Sequence, residues 1–265
     1  MKKIAFIGAG NMGGALVLGV CKAIDPQQVI IFDLNTERTE FLREKTGCAV
    51  AQSAHDACAQ SEYIVLAVKP QQFPTMCEAL QCKPGSRQTV VSIMAGLSIA
   101  SIEEKLGDCT VFRVMPNTPA KIGWGMTGVS CTERATDEQR QTVQRMFDSV
   151  GKTVLVEEHY MDALGAVSGC GPAYMYQIIE ALADGAVLAG LPRAMAYELA
   201  AQTMAGAAMM VLETGAHPGV LKDQVTSPGG TTIRGIQAME AHGVRNAMID
   251  AVQQAYIRSK ELGEA

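Results

Sequence analysis

A chain of 265 residues is longer than one ordinary domain requires, so one large or two modest domains are expected. Apolar residues at 48% exclude a disordered chain, and charged residues at only 18% leave little charge for the surface, as expected if part of it is buried between subunits. A net charge of −5 argues against a nucleic-acid binder, which presents a basic face.

The chain starts with Met1-Lys2-Lys3 and the apolar run Ile4-Ala5-Phe6-Ile7, which stops at Gly8, too soon for the apolar core of a secretory signal. The eight cysteines (Cys21, Cys48, Cys58, Cys77, Cys82, Cys109, Cys131, Cys170) include no C-x-x-C pair, so no metal site is expected. A reduced, cytoplasmic protein is the expectation. The run Ile4–Ile7 itself reads as a buried parallel strand. It leads into Gly8-Ala9-Gly10-Asn11-Met12-Gly13, a G-x-G-x-x-G string that opens a small-residue helix. In such a string the first glycine makes the tight turn, the second leaves room for a pyrophosphate, and the third lets helix and strand approach. Free N–H groups at the helix start and its dipole then face the phosphates. Ile7 through Gly13 are therefore candidate cofactor-binding residues.

A second strand, Val29–Phe32, ends at Asp33. An acid there accepts the ribose hydroxyls of NAD and repels the 2′-phosphate of NADP, although Asn35, Thr36 and Arg38 nearby leave NADP open. The cofactor is accordingly NAD(H) or NADP(H), with NAD favoured. Further strands follow at 63–68, 89–93, 110–114 and 153–156, separated by helical intervals, which predicts βαβ units and a parallel sheet. Three of them deliver short loops, Lys69-Pro70, Met94-Ala95-Gly96 and Met115-Pro116-Asn117-Thr118-Pro119, to the rim where a dinucleotide lies. The acidic turn at Glu157-Glu158 marks the domain boundary.

Beyond it the composition changes. From Met161 to Gly215 acids and bases are few and Ala, Gly, Met and Leu dominate, so these helices are expected to be buried on most sides, at a subunit interface. The uncharged runs are too short or too broken by Gly and Pro to span a bilayer, which takes about 20 residues. Two Ser/Gly segments interrupt this region: Ser168-Gly169-Cys170-Gly171-Pro172-Ala173-Tyr174 and Asp223-Gln224-Val225-Thr226-Ser227-Pro228-Gly229-Gly230-Thr231-Thr232. Exposed backbone N–H groups in such loops ahead of a helix suit a small carboxylate, whereas capped turns are the plainer alternative. His55, His159, His217 and His242 form no ligand spacing, and no nucleophile elbow or P-loop is present.

The strings F-I-G-A-G-N-M-G, L-A-V-K-P-Q, V-M-P-N-T-P, S-G-C-G-P-A-Y and D-Q-V-T-S-P-G-G-T-T together resemble the pyrroline-5-carboxylate reductase family over essentially the whole chain. The resemblance implies an α/β fold: an N-terminal Rossmann-type doubly wound parallel sheet over 1–158, followed by an all-α C-terminal substrate-binding and dimerisation domain over 159–265. It implies a homodimer, with dimers assembled further into decamers, and NAD(P)H-dependent reduction of 1-pyrroline-5-carboxylate to L-proline. It places Ala67, Val68, Lys69, Pro70, Met94, Ala95 and Asn117 against the cofactor. Ser168, Ser227, Gly229, Gly230, Thr231 and Thr232 fall to the substrate, with the Thr232 hydroxyl near the ring nitrogen as the catalytic group.

Three positions depart from the family pattern: Cys170 replaces a usual serine, Asp33-Leu34 replaces the usual strand end, and Ala54 replaces a common asparagine. Two other readings keep the cofactor: a reductase of a different cyclic imine or of a hydroxy acid, and a non-catalytic NAD(H)-binding regulator. The hydroxy-acid version lacks the lysine it needs between Met161 and Gly215, and the regulator leaves the Thr226–Thr232 loop without a task.

Overall fold

The computed structural model describes residues 2–80, 84–85 and 88–264; of the cysteines, Cys82 lies outside them. The chain divides into two compact units, 1–170 together with 255–265, and 171–254. The sequence boundary at 158 follows the last strand. The compact-unit boundary lies later, because Asp162 and Gly165–Gly169 pack on the sheet unit.

The first unit carries an eight-stranded sheet: β1 (Lys2–Ile7), β2 (Val29–Phe32), β3 (Ala49–Val50), β4 (Ser61–Leu66), β5 (Thr89–Ser92), β6 (Thr110–Met115), β7 (Gly125–Cys131) and β8 (Gly151–Leu155). Their spatial order is β3-β2-β1-β4-β5-β6-β7-β8. The intervening helices are α1 (Asn11–Ala23), α2 (Thr36–Thr46), α3 (Ala54–Ala59), α4 (Phe73–Ala79), α5 (Ile99–Leu106) and α6 (Asp137–Asp148). The strand sequences are apolar without alternation because both faces are covered. Ile4 and Phe6 join Leu16, Val65, Phe112 and Phe147 on one side, while Ala5 and Ile7 join Ile64, Leu66, Val90 and Ile102 on the other. Each such aliphatic or aromatic side chain contributes about 1.5–3 kcal/mol of burial free energy.

The sheet departs from the all-parallel expectation in one pairing: β7 runs antiparallel to β6, in register Val114↔Val129. The link between them holds only a short 3-10 turn, Thr118–Ile122, and too little chain for a helical crossover. β8 then pairs parallel with β7 after α6.

The region from 161 onward is helical: α7 (Met161–Leu164), a π-turn over Gly165–Gly169, α8 (Gly171–Leu188), α9 (Arg193–Thr214), α10 (Pro218–Gln224), α11 (Thr231–Ala241) and α12 (Val244–Glu264). In the second unit α8 and α9 meet through small residues, with Ala183, Ala196 and Ala200 buried beside Ile179 and Val187. Leu182, Leu188, Tyr176, Met195, Leu199 and Leu212 stay exposed on these two helices, an apolar surface that one chain leaves uncovered. No helix among the described residues is long and apolar enough to cross a membrane.

Candidate active site

The Ser168–Tyr174 segment is not a loop with free N–H groups, contrary to the sequence reading. It runs helically from the π-turn into α8, and the Cys170 N–H donates to the Gly165 carbonyl at 3.0 Å. Gly and Pro here adjust a helix instead of ending it, with Pro172 in the first turn, where no N–H partner is needed. Ser168 donates its hydroxyl to the Leu164 carbonyl at 3.0 Å.

At the carboxyl end of β1 the glycine string has the expected geometry. Gly8 sits at φ 104°, and a Cβ there would lie 2.5 Å from the Ala67 carbonyl oxygen. A Cβ on Gly13 would lie 2.2 Å from the Gly8 oxygen. These two are required by the chain's own packing. Gly10 is different: its nearest neighbour to an added Cβ is the Arg38 guanidinium, 3.8 Å away. The space beside Gly10 faces outward, and no side chain caps the α1 N-terminus that Gly10 opens. Free N–H groups, the positive end of the helix dipole and an absent Cβ fit a pyrophosphate.

Around this point the carboxyl ends of β1, β4, β5 and β6 form one crevice of about 710 Å³. Gly10, Asn11 and Met12 line it, with Ala67, Val68, Lys69, Pro70, Met94, Ala95 and Asn117, residues expected against a cofactor. Ile7 is buried beneath, and Gly8, Ala9 and Gly13 shape the turn. Asn117 lines the crevice with its side chain already committed. Its amide donates to the Ser168 carbonyl at 2.9 Å and its oxygen accepts from the Met126 N–H at 3.0 Å.

The sequence reading missed a further wall. Gly165, Ala166, Gly169 and Cys170 of the π-turn and Ala255, Arg258, Ser259 and Leu262 of α12 also line the crevice. The distance in sequence between α12 and the glycine string hid them. A second groove of about 820 Å³, between α5 and the β7–β8 edge, holds neither the glycine string nor an uncapped helix start.

Asp33 has a double task. Its Oδ2 accepts from the Ala9 N–H at 2.6 Å and its Oδ1 from the Asn35 N–H at 2.8 Å, so the carboxylate ties the end of β2 to the glycine string. Arg38 reaches back to the Ala9 carbonyl at 3.5 Å. With Glu37 and Lys121 it lines a groove of about 410 Å³ beside Gly10 and Asn11.

In the second unit the Asp223–Thr232 segment runs from the last residues of α10 through a turn at Val225–Gly230 into the first residues of α11. Thr226 closes α10 by donating to the Lys222 carbonyl at 2.6 Å, and the Gly230 N–H donates to the Ser227 carbonyl at 3.1 Å. Gly229 holds φ 69°, which favours glycine, while a Cβ on Gly230 would lie 2.3 Å from the rotatable Ser227 hydroxyl and 3.2 Å from its carbonyl oxygen. No side chain caps α11, which leaves the N–H groups at Thr231 and Thr232 for another acceptor. Ser227, Gly229, Thr231 and Thr232 are all exposed.

A doubly wound sheet whose strand ends, glycine string and open helix start surround one crevice defines a dinucleotide-dependent oxidoreductase of the Rossmann type, here continued by a helical region. The comparisons agree. Residues 158–262 match the family model for pyrroline-5-carboxylate reductase dimerisation, and residues 3–96 match that for NADP oxidoreductase, coenzyme F420-dependent. The pyrroline-5-carboxylate reductase of Methanosarcina acetivorans is 44% identical over 266 residues, covering 99% of this chain and 98% of that protein. The solved pyrroline-5-carboxylate reductase of Coxiella burnetii is 34% identical with a TM-score of 0.93, covering 100% and 99% of the two chains. That of Plasmodium falciparum with NADP bound is 31% identical with a TM-score of 0.88, covering 99% and 98%. The chain belongs to the pyrroline-5-carboxylate reductase family.

Proposed function

We propose that this chain reduces the ring C=N bond of 1-pyrroline-5-carboxylate, giving L-proline, with NADH or NADPH as the reductant. The carrying observation is the crevice: an open Gly10 and an uncapped α1 at one end, and uncharged Ala67, Met94 and Ala95 along a wall, shaped for a pyrophosphate and a flat ring. When bound, the reduced nicotinamide supplies the hydride, which goes to the ring carbon of the imine. The chain's own residues position, shield and exchange protons. Met94, Ala166 and Met115 exclude water from the ring's surroundings. The N–H groups of Thr231 and Thr232, with Ser227, Gly229 and Gly230, hold the substrate carboxylate at the start of α11. The Thr232 hydroxyl hydrogen-bonds the ring nitrogen and relays a proton, and an imine that arrives protonated needs no stronger acid. Ser168 acts at one remove, through the hydroxyl that steadies the π-turn.

NADH is the favoured cofactor because an acid at the end of β2, here Asp33, accepts a ribose hydroxyl and repels a 2′-phosphate. Arg38 and Lys121 beside Gly10 are the groups that let NADPH bind as well. The helical region joins two copies into a homodimer, and dimers build a decamer; the exposed Leu and Met side chains of α8 and α9 supply the apolar contact. The compartment proposed is the cytoplasm. The test mixes purified protein with 1-pyrroline-5-carboxylate and each reduced cofactor and follows cofactor absorbance. Oxidation of at least one is expected, and none with either overturns the reading. Light scattering after size exclusion reads the assembly.

A further inference from the structure

We infer that Arg113 is a positioning residue for the reduction: one buried guanidinium fixes three separate walls of the nicotinamide crevice. Arg113 lies in the middle of β6, 5% exposed, in a strand otherwise built of Thr, Val, Phe and Met. A cation there is costly unless it is paired. Its Nη1 donates to Glu158 Oε1 at 3.3 Å and its Nη2 to Asp162 Oδ1 at 3.0 Å. Each carboxylate passes the constraint on. Glu158 Oε1 also accepts the N–H of Ile99 at 2.8 Å, at the start of α5, directly after the loop that holds Met94 and Ala95. Asp162 Oδ1 also accepts the hydroxyl of Ser259 at 3.0 Å, on the turn of α12 that lines the crevice. Asp162 itself lies three residues before the π-turn, which supplies a third wall.

Among the described residues the Nε–H of Arg113 has no hydrogen-bond partner, so the guanidinium is held by its two Nη donors alone. A planar fork that spaces two carboxylates explains its retention. A lysine ammonium cannot hold both in that geometry. The glycine string and the end of β2 bind the other end of the cofactor and lie outside this network, so the network sets the ring's position more than the cofactor's affinity.

This inference rests on the proposed reductase activity, and its test separates the two. The full-length protein is compared with Ser259→Ala, Ser259→Thr, Arg113→Lys and the Arg113→Lys/Ser259→Ala double variant. NAD(P)H binding is titrated by fluorescence, and kcat is expressed per bound cofactor. Arg113→Lys should lower kcat about tenfold or more while Kd for the cofactor stays within about threefold, because displacement of the reacting ring by fractions of an ångström costs turnover first. Ser259→Ala should lower kcat about three- to tenfold with little change in Tm, and Ser259→Thr should restore it. The double variant should be no slower than Arg113→Lys, because both changes act on the α12 wall through Asp162. If Ser259→Ala turns over like the parent, or the two losses multiply, the positioning role is wrong. Should Arg113→Lys not fold, the Ser259 pair alone decides. A parent enzyme that binds NAD(P)H yet never oxidises it overturns the activity, and this inference with it.

Discussion

Asp33 has two possible contributions, a tie for the glycine string and a charge beside the ribose, and Asp33→Asn distinguishes them. The substitution keeps the side chain's size and removes its charge. One amide oxygen then serves two backbone donors, the N–H groups of Ala9 and Asn35, which the carboxylate now holds at 2.6 and 2.8 Å. Losing one charge-assisted bond costs about 1–2 kcal/mol after allowance for partial exposure, which lowers Tm by about 2–8 °C. The charge acts separately. Two unit charges about 5 Å apart repel by about 1 kcal/mol in water and about 3 kcal/mol at an effective dielectric of 20. A 2′-phosphate near Asp33 is relieved of that repulsion in the variant, and the 2′-hydroxyl of NADH loses its acceptor. The ratio of kcat/KM for NADPH to that for NADH should therefore rise by about five- to 150-fold. The assay is steady-state kinetics at saturating 1-pyrroline-5-carboxylate with each cofactor, alongside a thermal melt. If both cofactors lose efficiency equally while Tm falls, Asp33 only ties the loop, and the argument for NADH preference fails.

Gly10→Ala should leave Tm within about 2 °C yet weaken NAD(P)H binding at least tenfold, since its Cβ meets no protein atom closer than 3.8 Å but occupies the phosphate's space; unchanged affinity would show that the pyrophosphate lies elsewhere. Gly13→Ala, with a Cβ 2.2 Å from the Gly8 oxygen, should lose both stability and binding in the same two measurements. Thr232→Ala should reduce kcat about 10- to 100-fold with cofactor Kd unchanged; a large loss of cofactor affinity would show the residue misplaced. Iodoacetamide at pH 8, followed by peptide mapping, should label exposed Cys170 well before Cys109, whose thiol burial pushes up to about 11, so that little of it is thiolate at that pH. Because Cys170 lines the crevice, bound NADPH should slow its labelling, and equal rates with and without cofactor would remove it from that wall.

The fold was legible in the sequence where one local rule decided the outcome. Val29–Phe32 forms β2 at the expected residues, and the string at Gly8 opens α1 as its spacing requires. β7 has no counterpart among the expected strands, because Gly125 and Gly128 interrupt the apolar run that marks the others. A Cβ on Gly128 would lie 2.4 Å from a Leu164 methyl and displace that side chain, and one on Gly125 would lie 2.9 Å from the Val150 carbonyl oxygen. Both contacts are tertiary, so no local pattern reveals them. The same confusion acted in reverse at Ser168–Tyr174, where glycine and proline marked a loop and the chain instead widens a helix into a π-turn.

The crevice divides along similar lines. Its floor comes largely from loops that follow strands, so placing the strands placed Lys69-Pro70, Met94-Ala95 and Asn117 at its rim. Its remaining walls come from pairs far apart in the chain, Arg113 with Asp162 and Asp162 with Ser259, each across dozens of residues. One sequence signal did point there: an arginine inside the apolar run Thr110–Met115 must meet a carboxylate, since an unpaired buried cation is not tolerated. Which carboxylate it meets depends on how the π-turn and the end of α12 pack against β6, and that is tertiary information. Asp33 makes the same point within a single loop. The sequence offers an acid where a ribose is expected, yet its first partner in the folded chain is the Ala9 N–H, so the same carboxylate also builds the turn after β1.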